Sequence, residues 1–244
     1  PYLRRFAHIT DRQQRTLAAM VSAMDDAVGR VLQTIRDLGQ EQNTLVFFIS
    51  DNGAPGWEGR GRNGNLPLRG GKHTTWEGGI RLPFLVQWPG QLPAGKVEER
   101  PVIQLDIHPT ALAAAGVAAK PDWRLDGVNL LPFLTGQDAS APHPALFWRF
   151  GAQVAVRMGD WKLVKGAGLP GIAAEGGRSS IEGAELYNLA EDIGEKNNLA
   201  AREPAKVREL AAAWNTWNAG NVEPLWVSSR EGKKATKAKR KARD

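Results

Sequence analysis

The sequence predicts an α/β fold followed by a smaller antiparallel unit, on three observations. A long amphipathic helical pattern leads into a strand that is apolar on both faces. A glycine-rich stretch without periodicity follows the carboxyl end of that strand. From about residue 141 the texture changes to short strand patterns closed by one more amphipathic helix.

Thr10-Asp11-Arg12-Gln13 has the form of a capping box, with Thr10 as the N-cap and Gln13 reaching back. Apolar residues recur at Leu17, Met20, Val21, Met24, Val28, Val31, Leu32, Ile35 and Leu38, and Gly39 is the expected stop. One apolar stripe on a polar helix predicts packing against something flat. Thr44–Ser50 is a continuous run rich in β-branched and aromatic residues, which predicts a central strand of a mostly parallel sheet flanked by helices. Pro83–Trp88 is a second strand candidate, ended by Pro89-Gly90, and Pro109 opens a short helix that Gly116 closes. Further on, Ala145–Phe150, Gln153–Arg157, Trp161–Lys165 and Glu185–Leu189 are predicted strands, with Met158-Gly159-Asp160 forming a tight turn. Glu203-Pro204 then opens a helix whose apolar face is Val207, Leu210, Ala211, Trp214 and Trp217. The expected organisation is therefore 1–140 for the α/β part, 141–228 for a subdomain with a small antiparallel sheet and packed helix, and 229–244 for a tail.

The chain has 42% hydrophobic and 24% charged residues, an ordinary globular balance. No apolar run approaches the ~18 residues of a membrane span. The formal charge of +6 sits in residues 230–244, where eight Lys and Arg stand against Glu231 and Asp244, so the preceding residues net to zero. A terminal basic segment without large apolar residues predicts a solvated, disordered tail and not a nucleic-acid surface. The absence of cysteine excludes disulfides, thiolate metal sites and cysteine nucleophiles within this chain. The chain opens at Pro1-Tyr2-Leu3 without an initiating Met, which predicts a processed or partial polypeptide.

Two segments carry chemistry. Asp51-Asn52 leaves the carboxyl end of the predicted strand, where open α/β sheets place their ligands. A carboxylate and a carboxamide oxygen suit Ca²⁺ or Mg²⁺, although Asp-Asn-Gly is also a common Asx turn out of a strand. Gly70-Gly71 lets the backbone of the next residue approach a ligand and aims Lys72 into a cleft. A lysine opposite a cation makes sense when a tetrahedral oxyanion lies between them; alone, it would be a solvated loop lysine. His73 follows, either facing a substrate or as a polar loop residue. Trp57, Arg60 and Arg62 in the glycine-rich stretch are able to stack on and pair with an anionic ring-bearing ligand, as are any exposed loop residues of those types.

In order along the chain, Met24-Asp25-Asp26-Ala27-Val28-Gly29-Arg30, Phe48-Ile49-Ser50-Asp51-Asn52-Gly53, Arg69-Gly70-Gly71-Lys72 and Trp76-Glu77-Gly78-Gly79-Ile80-Arg81-Leu82-Pro83 appear. Leu105-Asp106-Ile107-His108-Pro109-Thr110, Arg157-Met158-Gly159-Asp160-Trp161-Lys162-Leu163 and Leu186-Tyr187-Asn188-Leu189 follow. This ordered series resembles the formylglycine-dependent, arylsulfatase-like sulfatases of the alkaline phosphatase superfamily, and matches only the later part of their pattern. The resemblance implies an alkaline-phosphatase-like sheet and a hydrolase of sulfuric esters, either aryl sulfates or sulfated glycans. It further implies Asp51 and Asn52 as calcium ligands, Lys72 as the residue contacting the sulfate, and a periplasmic or secreted location; His73 stands where many relatives have glycine, so its role beside the substrate or as a polar loop residue stays open. Asp51, Asn52 and Lys72 are then expected to converge, with the ammonium within about 10 Å of the carboxylate. Relatives place an Asp-Asp calcium pair and a Cys/Ser-x-Pro-x-Arg motif earlier than anything here. The formylglycine and the remaining calcium ligands are thus expected upstream, and this chain alone is expected to be inactive. Two alternatives stay open on the residues: a phosphoester or phosphonate hydrolase of the same superfamily, and a non-catalytic binder of anionic glycans.

Overall fold

The computed structural model describes residues 1–55, 64–166 and 179–222. The basic tail and Trp57, Arg60 and Arg62 lie outside them. The elements in chain order are α1 (Tyr2–Arg5), α2 (Arg12–Asp37), β1 (Val46–Ile49), α3 (Glu77–Ile80), β2 (Phe84–Gln87), α4 (Ile107–Ala114) and α5 (Leu131–Thr135). Then come β3 (Leu146–Phe150), β4 (Gln153–Met158), β5 (Trp161–Lys165), β6 (Glu185–Asn188) and α6 (Pro204–Ala219).

The predicted first helix forms, with its start shifted by one residue. Asp11 and not Thr10 is the N-cap: its backbone is extended and its carboxylate accepts the Gln14 N–H at 2.9 Å. Gly39, at φ +65°, ends the helix as expected. The apolar stripe of α2 does not find the flat partner its pattern predicts. Leu17, Met20, Val21, Met24, Val31 and Leu38 are all exposed, and only Ala19 is buried. The helix is instead tied to α1 by the Arg5–Asp26 pair, two hydrogen bonds of 3.1 and 2.8 Å.

β1 forms where the apolar run predicts a strand, but its pairing differs from expectation. Its partner is β2, antiparallel, with Val46 opposite Gln87 and Ile49 opposite Phe84. Among the described residues there is no parallel pair. Phe48 and Leu85 remain 38% and 57% exposed, so the two-sided apolar character of β1 is only half used. Among its described residues the connection between β1 and β2 holds one short α-helix, α3, and the chain returns antiparallel.

The later strands match their predicted spans within a residue or so and form a meander, β3-β4-β5-β6, antiparallel throughout. Alternation gives this sheet two different faces. Val156, Leu163 and Leu186, aligned across three strands, pack with Val154 against Leu210 and Trp214 of α6. The opposite face carries Ala155, Val164 and Tyr187, and Trp76 packs on it. Trp76 immediately precedes α3, so the glycine-lysine loop is docked on the back of this sheet.

A buried charge cluster fixes the docking. Lys162 on β5 shares the Trp76 face, and its ammonium lies 2.8 Å from Glu77 Oε1 and 2.8 Å from Glu195 Oε1. All three side chains are buried. The second oxygen of Glu195 accepts the Glu77 backbone N–H at 2.7 Å. Two carboxylates around one buried lysine leave excess negative charge, relieved at its edge by Arg81, 3.7 Å from Glu77. Burial pushes the Glu195 carboxyl above its ordinary value of 4.5, and the attraction of Lys162 only partly offsets this. In the folded state Glu195 therefore holds its proton to higher pH than in the unfolded chain. Its contribution is fully present below pH 4.5 and declines as pH rises through the elevated folded value.

Replacing Lys162 by Met strands both carboxylates and is expected to cost about 3–5 kcal/mol in urea unfolding at neutral pH. Glu195→Gln removes the titrating group, so the fall in stability as pH rises above 4.5 should flatten relative to wild type. An unchanged pH slope in that variant would show that another group carries it.

Candidate functional site

Asp51 and Asn52 leave the end of β1, as the sequence predicts, and both line a cavity of about 940 Å³ that reaches the edge of the C-terminal sheet. Asp51 is exposed and Asn52 half-buried. The Asn52 amide donates to Asp51 Oδ1, which sets the two side chains against each other. The turn is braced from outside: Gln104 Nε2 donates to the carbonyls of Ser50 at 2.7 Å and Asp51 at 3.3 Å, and Ser50 Oγ donates to the Asn52 carbonyl at 2.8 Å.

The turn and the glycine-lysine loop are joined through their backbones. The Gly53 N–H donates to the Gly79 carbonyl at 3.0 Å, and the Lys72 N–H donates to the Ala54 carbonyl at 3.0 Å. The fit is close enough to require glycine: a Cβ on Gly53 would lie 1.7 Å from the Gly78 carbonyl oxygen. A Cβ on Gly78 would lie 2.4 Å from the Gly70 carbonyl oxygen. Thr74 closes the loop from within, its hydroxyl donating to the Gly71 carbonyl at 2.7 Å and accepting the Gly71 N–H at 3.2 Å.

These contacts bring the Lys72 backbone to within three residues of Asp51 across the loop. Lys72 is half-buried and is not among the residues lining the cavity, whereas His73 is. His73 has φ +70°, a left-handed conformation that costs a side-chain-bearing residue about 1–2 kcal/mol. Its carbonyl accepts from the amide of buried Gln153 at 2.8 Å, and its ring stacks on Phe150.

Several of these supports have no local sequence signal. Gln104, Gln153, Lys162 and Glu195 look like ordinary polar residues until the fold brings them to the loop. Arg69, which opens the Arg69-Gly70-Gly71-Lys72 segment, supports the loop as well. Its guanidinium sits 3.6 Å over the Trp76 ring and donates to the Tyr187 hydroxyl at 3.0 Å and the Glu195 carbonyl at 2.9 Å. The signal that existed was Glu77 followed by two glycines, a pattern that marks a tightly packed backbone.

For a divalent cation the residues present fit as a partial shell. Asp51 and Asn52 offer two hard oxygens, against the six to eight that Ca²⁺ takes. Among the described residues there is no cluster of three or more His, Cys, Asp or Glu able to hold a metal.

Residues 1–117 match the family model described as Sulfatase, and residues 71–166 match that described as N-sulphoglucosamine sulphohydrolase, C-terminal. The chain is 38% identical over 143 residues to N-acetylgalactosamine-6-sulfatase of Canis lupus familiaris, covering 58% of this chain and 27% of that protein. It is 43% identical over 133 residues to steryl-sulfatase of Rattus norvegicus, covering 52% and 23%. The crystal structure of Ps i-CgsB superposes with a TM-score of 0.79 at 32% identity, over 95% of this chain and 49% of that one. PsFucS1 sulfatase from Pseudoalteromonas sp. gives 0.68 at 25% identity, over 84% and 44%. The chain thus spans about a quarter of the length of the curated relatives it matches and about half that of the solved ones. With two overlapping models running from residue 1 to residue 166 and an alkaline-phosphatase-like fold shared along nearly its whole length, the chain belongs to the sulfatase family as a C-terminal segment of it.

Proposed function

We propose that this segment supplies one wall of a sulfate-ester hydrolase site, in which Asp51 and Asn52 hold part of a calcium shell, Lys72 binds the sulfate and His73 faces the substrate. The observation that carries the reading is the backbone stitching between the Asp51-Asn52 turn and the Lys72 loop. Residues on the two loops are held in fixed relation without depending on flexible side chains. The triad of Glu77, Lys162 and Glu195 supports the same loop from behind, so the position of Lys72 is set by buried structure.

Within this reading Lys72 contributes a fixed positive charge against the sulfate oxygens, including the bridging oxygen on which charge builds as the S–O bond breaks. Asp51 and Asn52 would hold part of the calcium shell, and the ion would supply Lewis-acid polarisation of the sulfate. The nucleophile in this reading would be a formylglycine hydrate, and it would have to be supplied from outside this chain, which holds no cysteine to form it. Asp51 offers its carboxylate to the cation while Gln104 holds the turn still from the backbone side.

The substrate class we infer is a sulfated glycan. One curated relative is named for N-acetylgalactosamine 6-sulfate, and the solved relative Ps i-CgsB has also been crystallised with k-i-k-neocarrahexaose. The relatives are named sulfatases, so the phosphoester and non-catalytic alternatives are set aside. A periplasmic or secreted site of action belongs to the same proposal; among the described residues no helix is long and apolar enough to cross a membrane.

Two measurements test this. Calorimetric titration of the 244-residue chain should show calcium binding no tighter than about 10⁻⁴ M, the range of an incomplete and hydrated shell, and Asp51→Ala should abolish it. Calcium affinity unchanged by Asp51→Ala would remove the metal assignment. The same chain should not turn over an aryl sulfate, whereas a polypeptide carrying the rest of the family domain should. In that longer protein Lys72→Ala should lower kcat by about 10²–10³-fold, and full activity of the variant would refute the role of Lys72.

A further inference from the structure

We infer that His73 and Phe150 together form the surface on which the sugar ring bearing the sulfate packs, with Gln153 as the residue that positions them; this rests on the reading of the site given above. Both rings line the cavity that Asp51 and Asn52 line. Their centroids are 6.1 Å apart and their planes 29° from parallel, a stacked arrangement. Phe150 is 47% exposed and His73 is exposed as well, so the pair presents apolar ring surface to the cavity and not to a core.

The pair is held by construction. Phe150 ends β3 and Gln153 begins β4, directly opposite each other in the hairpin register. The hairpin therefore presents a ring and an amide side by side to one residue of the Lys72 loop. Phe150 takes the His73 ring, and the buried Gln153 amide donates to the His73 carbonyl at 2.8 Å. Ser179 fixes the turn between them, donating to the Gly151 carbonyl at 2.6 Å.

His73 has an unfavourable backbone conformation that glycine would adopt freely, at φ +70°. Folding alone does not explain a histidine there, because its ring is not buried. A residue kept in a costly conformation with its ring at the cavity wall is explained by what the ring touches. The C–H face of a pyranose packs on such a surface, and an imidazole nitrogen can bond a hydroxyl of the same sugar. Arg81 and Arg157, lining the same cavity, suit further anionic groups on a sulfated chain.

The test is an NMR titration of the 244-residue chain in calcium with a sulfated galactan hexaose, N-acetylgalactosamine 6-sulfate, phenyl sulfate and inorganic sulfate. Phe150→Ala should weaken both saccharides about tenfold and leave inorganic sulfate unchanged. His73→Gly should weaken the saccharides equally while leaving the melting temperature unchanged or raised, because glycine relieves the backbone. A purely structural role predicts the reverse, a lower melting temperature with saccharide affinity intact, and that result overturns the inference. Weakening confined to phenyl sulfate would replace the saccharide by an aryl group and equally overturn it. Wild-type binding of inorganic sulfate without either saccharide would end this inference alone, whereas binding of none of the four would end the underlying sulfatase-site reading with it.

Discussion

The architecture of this segment depends on a lysine buried between two glutamates. Taking Lys162, Glu77 and Glu195 out of water is costly, and their mutual attraction offsets only part of that cost. What the cluster provides is connection, since its three members come from the middle of the sheet, from the helix after the lysine loop, and from a loop beyond β6. Glu195 also receives the Glu77 backbone N–H, so the contact fixes main chain as well as side chain. An apolar replacement would fill the volume, but it would not impose this register between loop and sheet. Arg69 extends the same clasp to the surface through Trp76, Tyr187 and the Glu195 carbonyl.

From that anchor the candidate site follows by backbone contact. The clasp fixes residues 76 and 77; the glycines after them approach the Asp51 turn so closely that no side chain fits between. Hydrogen bonds from Gly53 and Lys72 then set the distance between the two loops. Side chains of a binding site must be held by something stiffer than themselves, and here the stiff part is main chain packed on a sheet. The same logic governs His73, whose conformation is set by Gln153 and Phe150 on an adjoining hairpin.

The C-terminal strands and α6 were legible because alternation, tight turns and a helical stripe agree there with the packing that forms. The α2 helix is legible from its period but its cap is not, since Thr10 and Asp11 are both good caps and only the geometry chooses Asp11. The apolar character of β1 predicts a parallel sheet, but that character records what a strand contacts and not which neighbours this chain contains. Asp51, Asn52, Lys72 and His73 stood out through their segment patterns. Lys162, Glu195 and Gln153 did not, because a polar residue in a strand or loop carries no mark of burial until partners far along the chain are known. Phe150, at the end of an alternating strand, looked like one more exposed aromatic.

The two sides of the candidate site rest on unequal supports, and this shapes how it can behave. Among the described residues, most buried hydrophobic side chains belong to the C-terminal sheet and α6, including Val154, Val156, Leu163, Leu186, Leu210 and Trp214. The part before residue 140 buries few, and it leaves the α2 stripe and one face of the β1–β2 pair open. Regions with few buried apolar contacts open at lower free energy than a packed core. The lysine loop is clasped to the strong side, while Asp51 and Asn52 hang from the weak one. Fluctuation of α1, α2 and β1 therefore displaces Asp51 and Asn52 before it displaces Lys72 or His73. Any partner surface that covers the open apolar faces stabilises that weaker side and, through the Gly53–Gly79 and Ala54–Lys72 hydrogen bonds, sharpens the relation between the two loops of the candidate site. Covering those apolar faces and fixing the two loops of the candidate site are in this way coupled.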